Sequence, residues 1–178
     1  MNALGIHAFR AGSLATALLL TGMVTSASAQ TTVILVRHAE QIEGDDRDPS
    51  LTPDGQERAR TLVHVLEGVQ LDAIYSTPLK RTLETAGPVA ERFGLDIVTT
   101  EPTATLVSDM GRILREGHPG QTVLVVSHSN TVPAIVNELG GGPFDQLNHT
   151  EYDSLFVVYL EPGKPTQVLR LQYGAPTQ

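Results

Sequence analysis

Apolar and polar residues alternate in blocks along the chain, and the blocks switch between two periods. Thr32-Val33-Ile34-Leu35-Val36 and Thr122-Val123-Leu124-Val125-Val126 are unbroken apolar, β-branched runs. Such runs predict strands buried on both faces of a sheet, because a strand with one wet face would alternate. Between them, Thr52-Pro53-Asp54 supplies a capping hydroxyl, a proline at the first helical position and an early acid, and Ala59, Leu62, Val63 and Leu66 recur at helical spacing. A helix is therefore predicted from about residue 53 to about 67. Thr77-Pro78 opens a second helix that reaches about Phe93 and stops at Gly94, with Gly87-Pro88 expected to kink or break it. Weaker patterns predict strands over Leu71 to Tyr75 and Leu95 to Val98, and helices over about 103–116 and 131–139. Tyr152 to Leu160 and Gln167 to Gln172 alternate as late strands, an antiparallel pair at a sheet edge. With no internal repeat, this succession predicts one α/β domain, a three-layer α/β/α sandwich on a mostly parallel central sheet.

The N-terminus does not belong to that pattern. Arg10 gives a positive start, Ala11 to Val24 an apolar run, and Ala27-Ser28-Ala29 a small-residue cleavage site. Residues 1–29 therefore read as a secretory signal peptide and 30–178 as the folded domain, placing the product in a bacterial periplasm or outside the cell. The run is interrupted by Ser13, Thr16, Thr21 and Gly22 and falls short of the ~20 residues a span requires, so no stable membrane insertion is expected after cleavage. The net charge of −8 argues against a nucleic-acid or anionic-membrane partner. The absence of cysteine excludes disulfides, thiolate zinc sites, a cysteine nucleophile and a lipoprotein anchor. Any site for an anion must be basic locally, within an acidic protein.

Three polar clusters follow predicted strands directly: Arg37-His38, Ser76 to Arg81, and Ser127-His128-Ser129. Open α/β sheets bind ligands at the carboxyl ends of their strands, so segments far apart in sequence are expected to converge there. Leu-Val-Arg-His-Ala-Glu (35–40), Ser-Thr-Pro-Leu-Lys-Arg-Thr-Leu-Glu-Thr-Ala (76–86) and Val-Ser-His-Ser-Asn-Thr-Val-Pro (126–133) together resemble the histidine phosphatase superfamily, in its phosphoglycerate-mutase-like branch. The resemblance covers residues 32 to about 160. It implies a phosphoglycerate-mutase-like fold, transient phosphorylation of His38, and a phosphoryl group held by Arg37, Arg81 and His128, with no metal and no cofactor. Ser129 and Asn130, at the start of the following helix, are candidate substrate donors. Ala39 departs from the more usual glycine of the first motif, which is tolerable where the backbone is not left-handed.

Elementary chemistry is consistent with those roles. A phosphomonoester is a dianion near neutrality, and phosphoryl transfer is accelerated mainly by positioning and by stabilising charge on the equatorial oxygens. Arginine stays protonated and binds phosphate oxygens in pairs; a neutral imidazole attacks and later leaves. His128, protonated beside the dianion, adds a positive donor. The resemblance also implies a general acid between about 101 and 109, where Glu101 and Asp109 are the acids; Glu101, Asp109 and no dedicated acid all stay open. His38, Glu40 and His128 lack a zinc-protease spacing, and two arginines would repel a cation. Ser127 has no nucleophile elbow. Glu40 and Gln41 are expected at the entrance, His149 on a loop rimming the pocket, and His64 and His118 without a role. Asn148-His149-Thr150 also matches a glycosylation sequon, a weak signal at that length.

The expectation is an exported phosphatase acting on a phosphorylated small molecule, such as an envelope sugar phosphate. A phospho-ligand-binding protein without efficient turnover is the alternative. A mutase or a protein-phosphohistidine phosphatase is a lesser one, and the oligomeric state is left open.

Overall fold

The computed structural model describes residues 29–177; the expected signal peptide lies outside the described residues but for Ala29. Ten elements follow in the order β1 (Thr31–Arg37), α1 (Pro53–Val65), β2 (Ala73–Ser76), α2 (Lys80–Phe93), β3 (Ile97–Thr99), α3 (Leu106–Glu116), β4 (Thr122–Ser127), α4 (Thr131–Glu138), β5 (Ser154–Leu160) and β6 (Gln167–Gln172). The six strands form one sheet in the order β3-β2-β4-β1-β5-β6. The first four pair in parallel, while β5 runs antiparallel to both β1 and β6.

The double burial expected of the two apolar runs follows from alternate side chains pointing to opposite faces. Val33 and Leu35 of β1 and Val123 and Val125 of β4 pack with Met110 and Leu114 of α3 and Val132, Ile135 and Val136 of α4. Ile34, Val36, Leu124 and Val126 face the other way, onto Leu62 of α1 and Ala86 and Val89 of α2. The three-layer sandwich is thus confirmed, with a helix pair on each face.

Helix boundaries differ from expectation at α2. Thr77-Pro78 does not open it; the helix begins at Lys80, after the extended Leu79. The Thr77 hydroxyl is engaged with Thr82 and His128 instead of the helix end, and the Asp48 carboxylate accepts the Lys80 N–H at 2.8 Å. Nor does Gly87-Pro88 break the helix, which runs unbroken to Phe93. Gly87 has no Cβ to clash with the proline ring, and the buried Thr85, Ala86 and Val89 hold the segment to the sheet. At α1 the cap is as expected, with the Thr52 hydroxyl accepting from the Gly55 N–H at 3.0 Å.

Candidate active site

The parallel register brings the predicted clusters together. Arg37 at the end of β1 lies opposite Ser127 of β4, and Val126 opposite Ser76 of β2. The residues that follow, His38, His128 and Thr77, therefore emerge side by side at one sheet edge. The His38 N–H donates to the Ser127 carbonyl at 2.8 Å, tying two of these strand ends together. The His38 and His128 rings lie edge to face with centroids 5.6 Å apart.

His38 is 5% exposed. Its Nδ1 lies 2.8 Å from the Ala39 carbonyl. A carbonyl only accepts, so Nδ1 carries the proton and Nε2 keeps its lone pair. Burial first, then the positive neighbours Arg37, His128 and Arg81, push the His38 pKa down to about 3. The ring is therefore neutral near pH 7, with a bare nitrogen. Ala39 is buried, and its N–H donates to the Thr85 hydroxyl at 2.9 Å, which joins this turn to α2. No non-glycine residue among those described has a positive φ, so alanine fits where the motif more often carries glycine.

Arg37 is buried at 3% exposure. Its Nη1 donates to the carbonyls of Asn148, His149 and Glu151 at 3.0, 2.9 and 2.8 Å. Its guanidinium carbon stacks 3.9 Å from the centre of the Tyr152 ring. Arg81 enters from the first turn of α2, with Nη1 4.0 Å from Asp48. The Nε atoms of both arginines are buried without a hydrogen-bond partner. A buried donor left unmade costs about 1–3 kcal/mol, more when charged, so two in one pocket indicate a missing acceptor. Apart from Asp48, the nearby acids Glu40 and Glu151 are committed elsewhere. Arg58 grips the Glu40 carboxylate through Nε at 3.0 Å and Nη2 at 2.7 Å, and Glu151 pairs with Arg170 and Ser154. The result is a locally cationic cluster, Arg37 and Arg81 beside two histidines, within an acidic protein.

Not every expected residue joins it. Glu101 and Asp109 are exposed and line a separate 330 Å³ depression with Arg112 and Ile113. Asp109 sits 3.6 Å from Arg112. Glu101 follows β3, where the Thr100 N–H bonds the Ser76 carbonyl at 2.8 Å, so its segment abuts the strand end that bears Thr77. Ser129 gives its carbonyl to the Leu147 N–H, and Asn130 caps α4 positionally but makes no side-chain cap bond. His149 meets Arg37 through its carbonyl, beside those of Asn148 and Glu151. His64 is exposed, and His118 bonds Tyr75 and Gln121 at the far end of the sheet. Three contributors went unread in the sequence. Tyr152 looked like the start of a strand, Thr77 like a helix cap, and Arg58 drew no reading. Only the position of Thr77 inside the second motif hinted otherwise.

Fold and site together define an α/β/α protein that presents a neutral histidine nitrogen beside two anion-seeking guanidiniums. Comparison with known proteins narrows the class. Residues 33–103 match the histidine phosphatase superfamily (branch 1). That match spans 71 of the chain's 178 residues. Among curated relatives, it is 41% identical over 73 residues to phosphoserine phosphatase 1 of Hydrogenobacter thermophilus, covering 37% of this chain and 34% of that protein. It is 35% identical over 75 residues to the 2,3-bisphosphoglycerate-dependent phosphoglycerate mutase of Thermoplasma acidophilum, covering 38% of each. The chain thus matches little more than a third of the length of these relatives. A solved structure of the protein histidine phosphatase SixA complexed with tungstate superimposes with a TM-score of 0.64 at 20% identity, over 79% of this chain and 96% of that one. That likeness shows the fold.

Proposed function

We propose that this chain is an exported phosphatase that hydrolyses phosphomonoesters through a phosphohistidine on His38, without a metal. The observation that carries the reading is the pair of buried, unpartnered Nε donors of Arg37 and Arg81 beside the unprotonated Nε2 of His38. Arg37 and Arg81 both lie close enough to His38 to lower its pKa, so a phosphoryl group held by those donors would sit beside that lone pair. In the first step Nε2 forms a bond to phosphorus while the ester P–O bond breaks, and the leaving oxygen takes a proton. In the second, water attacks phosphorus, the N–P electron pair returns to Nε2, and inorganic phosphate departs. The two guanidiniums stabilise the equatorial oxygens in both steps. Glu101 delivers that proton only by turning in from the neighbouring depression; its segment abuts the strand end bearing Thr77, whereas Asp109 faces Arg112. An envelope sugar phosphate is the substrate class that suits export.

The test is hydrolysis of an aryl phosphate by the chelator-treated domain from residue 30, beside His38→Ala, with trapping of labelled phosphate on protein in an alkaline denaturing quench. Turnover that survives chelation and disappears with His38, together with an acid-labile, base-stable phosphoenzyme, is expected. Tight oxyanion binding with no phosphoenzyme would make the chain a phospho-ligand-binding protein instead. Fractionation of cells expressing the full chain tests export, which fails if the product stays at full length in the cytoplasm.

A further inference from the structure

We propose that Thr77 is a positioning residue for His128: its hydroxyl holds the Nε2–H, leaves Nδ1 for the phosphoryl group, and so makes anion binding take up a proton. The role in anion binding rests on the function proposed above; the hydrogen-bond direction does not.

The argument is a count of protons along a buried chain. Thr77 and Thr82 are 1% and 0% exposed. The Thr82 hydroxyl lies 2.8 Å from the Leu79 carbonyl and 3.0 Å from the Thr77 carbonyl, and both can only accept. The single Thr82 proton is committed there. Across the 2.8 Å contact between the two hydroxyls, Thr77 must therefore donate and Thr82 accept. With its own proton spent, Thr77 can only accept from His128 Nε2, 3.1 Å away. That nitrogen is N–H. In the neutral ring the other nitrogen, Nδ1, then bears a lone pair, which repels a phosphoryl oxygen instead of binding it.

The ring is neutral in the empty site. Burial, then Arg81 and Arg37, push the His128 pKa down to about 4. The charged and titratable groups facing it are those two arginines and the ring of His38. An oxyanion among them reverses the local field, and Nδ1 becomes a donor by gaining a proton from solvent. Without the Thr77 hydroxyl, the ring is free to carry its one proton on Nδ1 and to donate while neutral, so binding no longer requires the extra proton. Serine in place of threonine keeps the hydroxyl and the coupling.

Two measurements on the domain from residue 30 decide it. Long-range nitrogen–proton correlation of nitrogen-15 histidine, with His128 assigned by its loss in His128→Gln, should show the Nε2–H tautomer at pH 7 without ligand. It should show both nitrogens protonated with tungstate. Calorimetry of tungstate binding at pH 7 in two buffers of different ionisation heat should give uptake of about one proton. Thr77→Val should lose most of that uptake and Thr77→Ser should restore it. An Nδ1–H tautomer in the free protein overturns the proposal even if the valine variant does not fold. Equal proton uptake in wild type and Thr77→Val also overturns it. Failure of tungstate to bind at all would instead refute the phosphoryl site, while the free-protein spectrum still decides the role of Thr77.

Discussion

Stability should fall as pH drops from 8 to 5, and the histidine pair sets the size of the loss. An unfolded histidine titrates near 6.5, whereas the folded His38 and His128 do so at about 3 and about 4. The unfolded chain therefore binds protons that the folded one refuses. The stability each ring confers is complete above pH 6.5 and is lost as pH falls toward its folded value. At pH 5 the unfolded ring is almost wholly protonated and the folded one scarcely, and linkage gives roughly 2 kcal/mol for each, about 4 kcal/mol together. That is a large share of the 5–15 kcal/mol typical of a domain. Glu151 and Asp153, held below their ordinary values by hydrogen bonds and by Arg170 and Arg58, lose their share only in more acid solution. Urea unfolding followed by circular dichroism at pH 8, 6.5 and 5 measures the loss. His38→Asn with His128→Asn should flatten the profile, and saturating tungstate or phosphate should reduce it, since the anion supplies the missing counter-charge. An unchanged 8-to-5 loss in the double variant would refute the reasoning.

Other outcomes follow from the same geometry. Arg81→Lys should lower kcat/KM for an aryl phosphate at least tenfold, because an ammonium cannot reproduce the paired donors of the guanidinium. Tyr152→Ala removes the ring stacked on Arg37 and should weaken tungstate binding by about five- to tenfold, consistent with about 1 kcal/mol for a partly desolvated cation–π contact; titration calorimetry checks it. A Cβ on Gly55 would sit 2.2 Å from the Glu40 carbonyl oxygen, so Gly55→Ala should destabilise by about 2–3 kcal/mol in urea. Glu101→Gln should slow an alkyl phosphate far more than a nitrophenyl phosphate, whose leaving group needs no proton. Equal effects on both substrates would remove it as the acid.

How much of this was legible beforehand depended on range. The two apolar runs announced central strands because a doubly covered strand has no polar face to show. Their terminal Arg37-His38 and Ser127-His128 announced the site, because register places whatever follows adjacent parallel strands at one edge. What stayed hidden depends on partners far along the chain. Arg58 looks like an ordinary helix arginine until residues 173 and 175 offer it carbonyls and Glu40 a carboxylate. Thr77-Pro78 has the composition of a helix start, yet its hydroxyl is bound by a histidine 51 positions away. Tyr152 acquires meaning only when Arg37 slides under its ring. Local propensity is silent on such pairings.

The same long-range wiring sets a timetable for synthesis. β1, among the first segments of the domain to leave the ribosome, is the strand that must wait longest, since its neighbours are β4 and β5, about ninety and more than a hundred and twenty residues later. Residues 173–177 close the assembly by tying Arg58 and Asp153 together through Tyr173, Ala175 and Thr177. A growing chain thus carries an unpaired, sticky strand that runs into Arg37-His38, and acquires its last long-range ties only after residue 177 has cleared the exit tunnel.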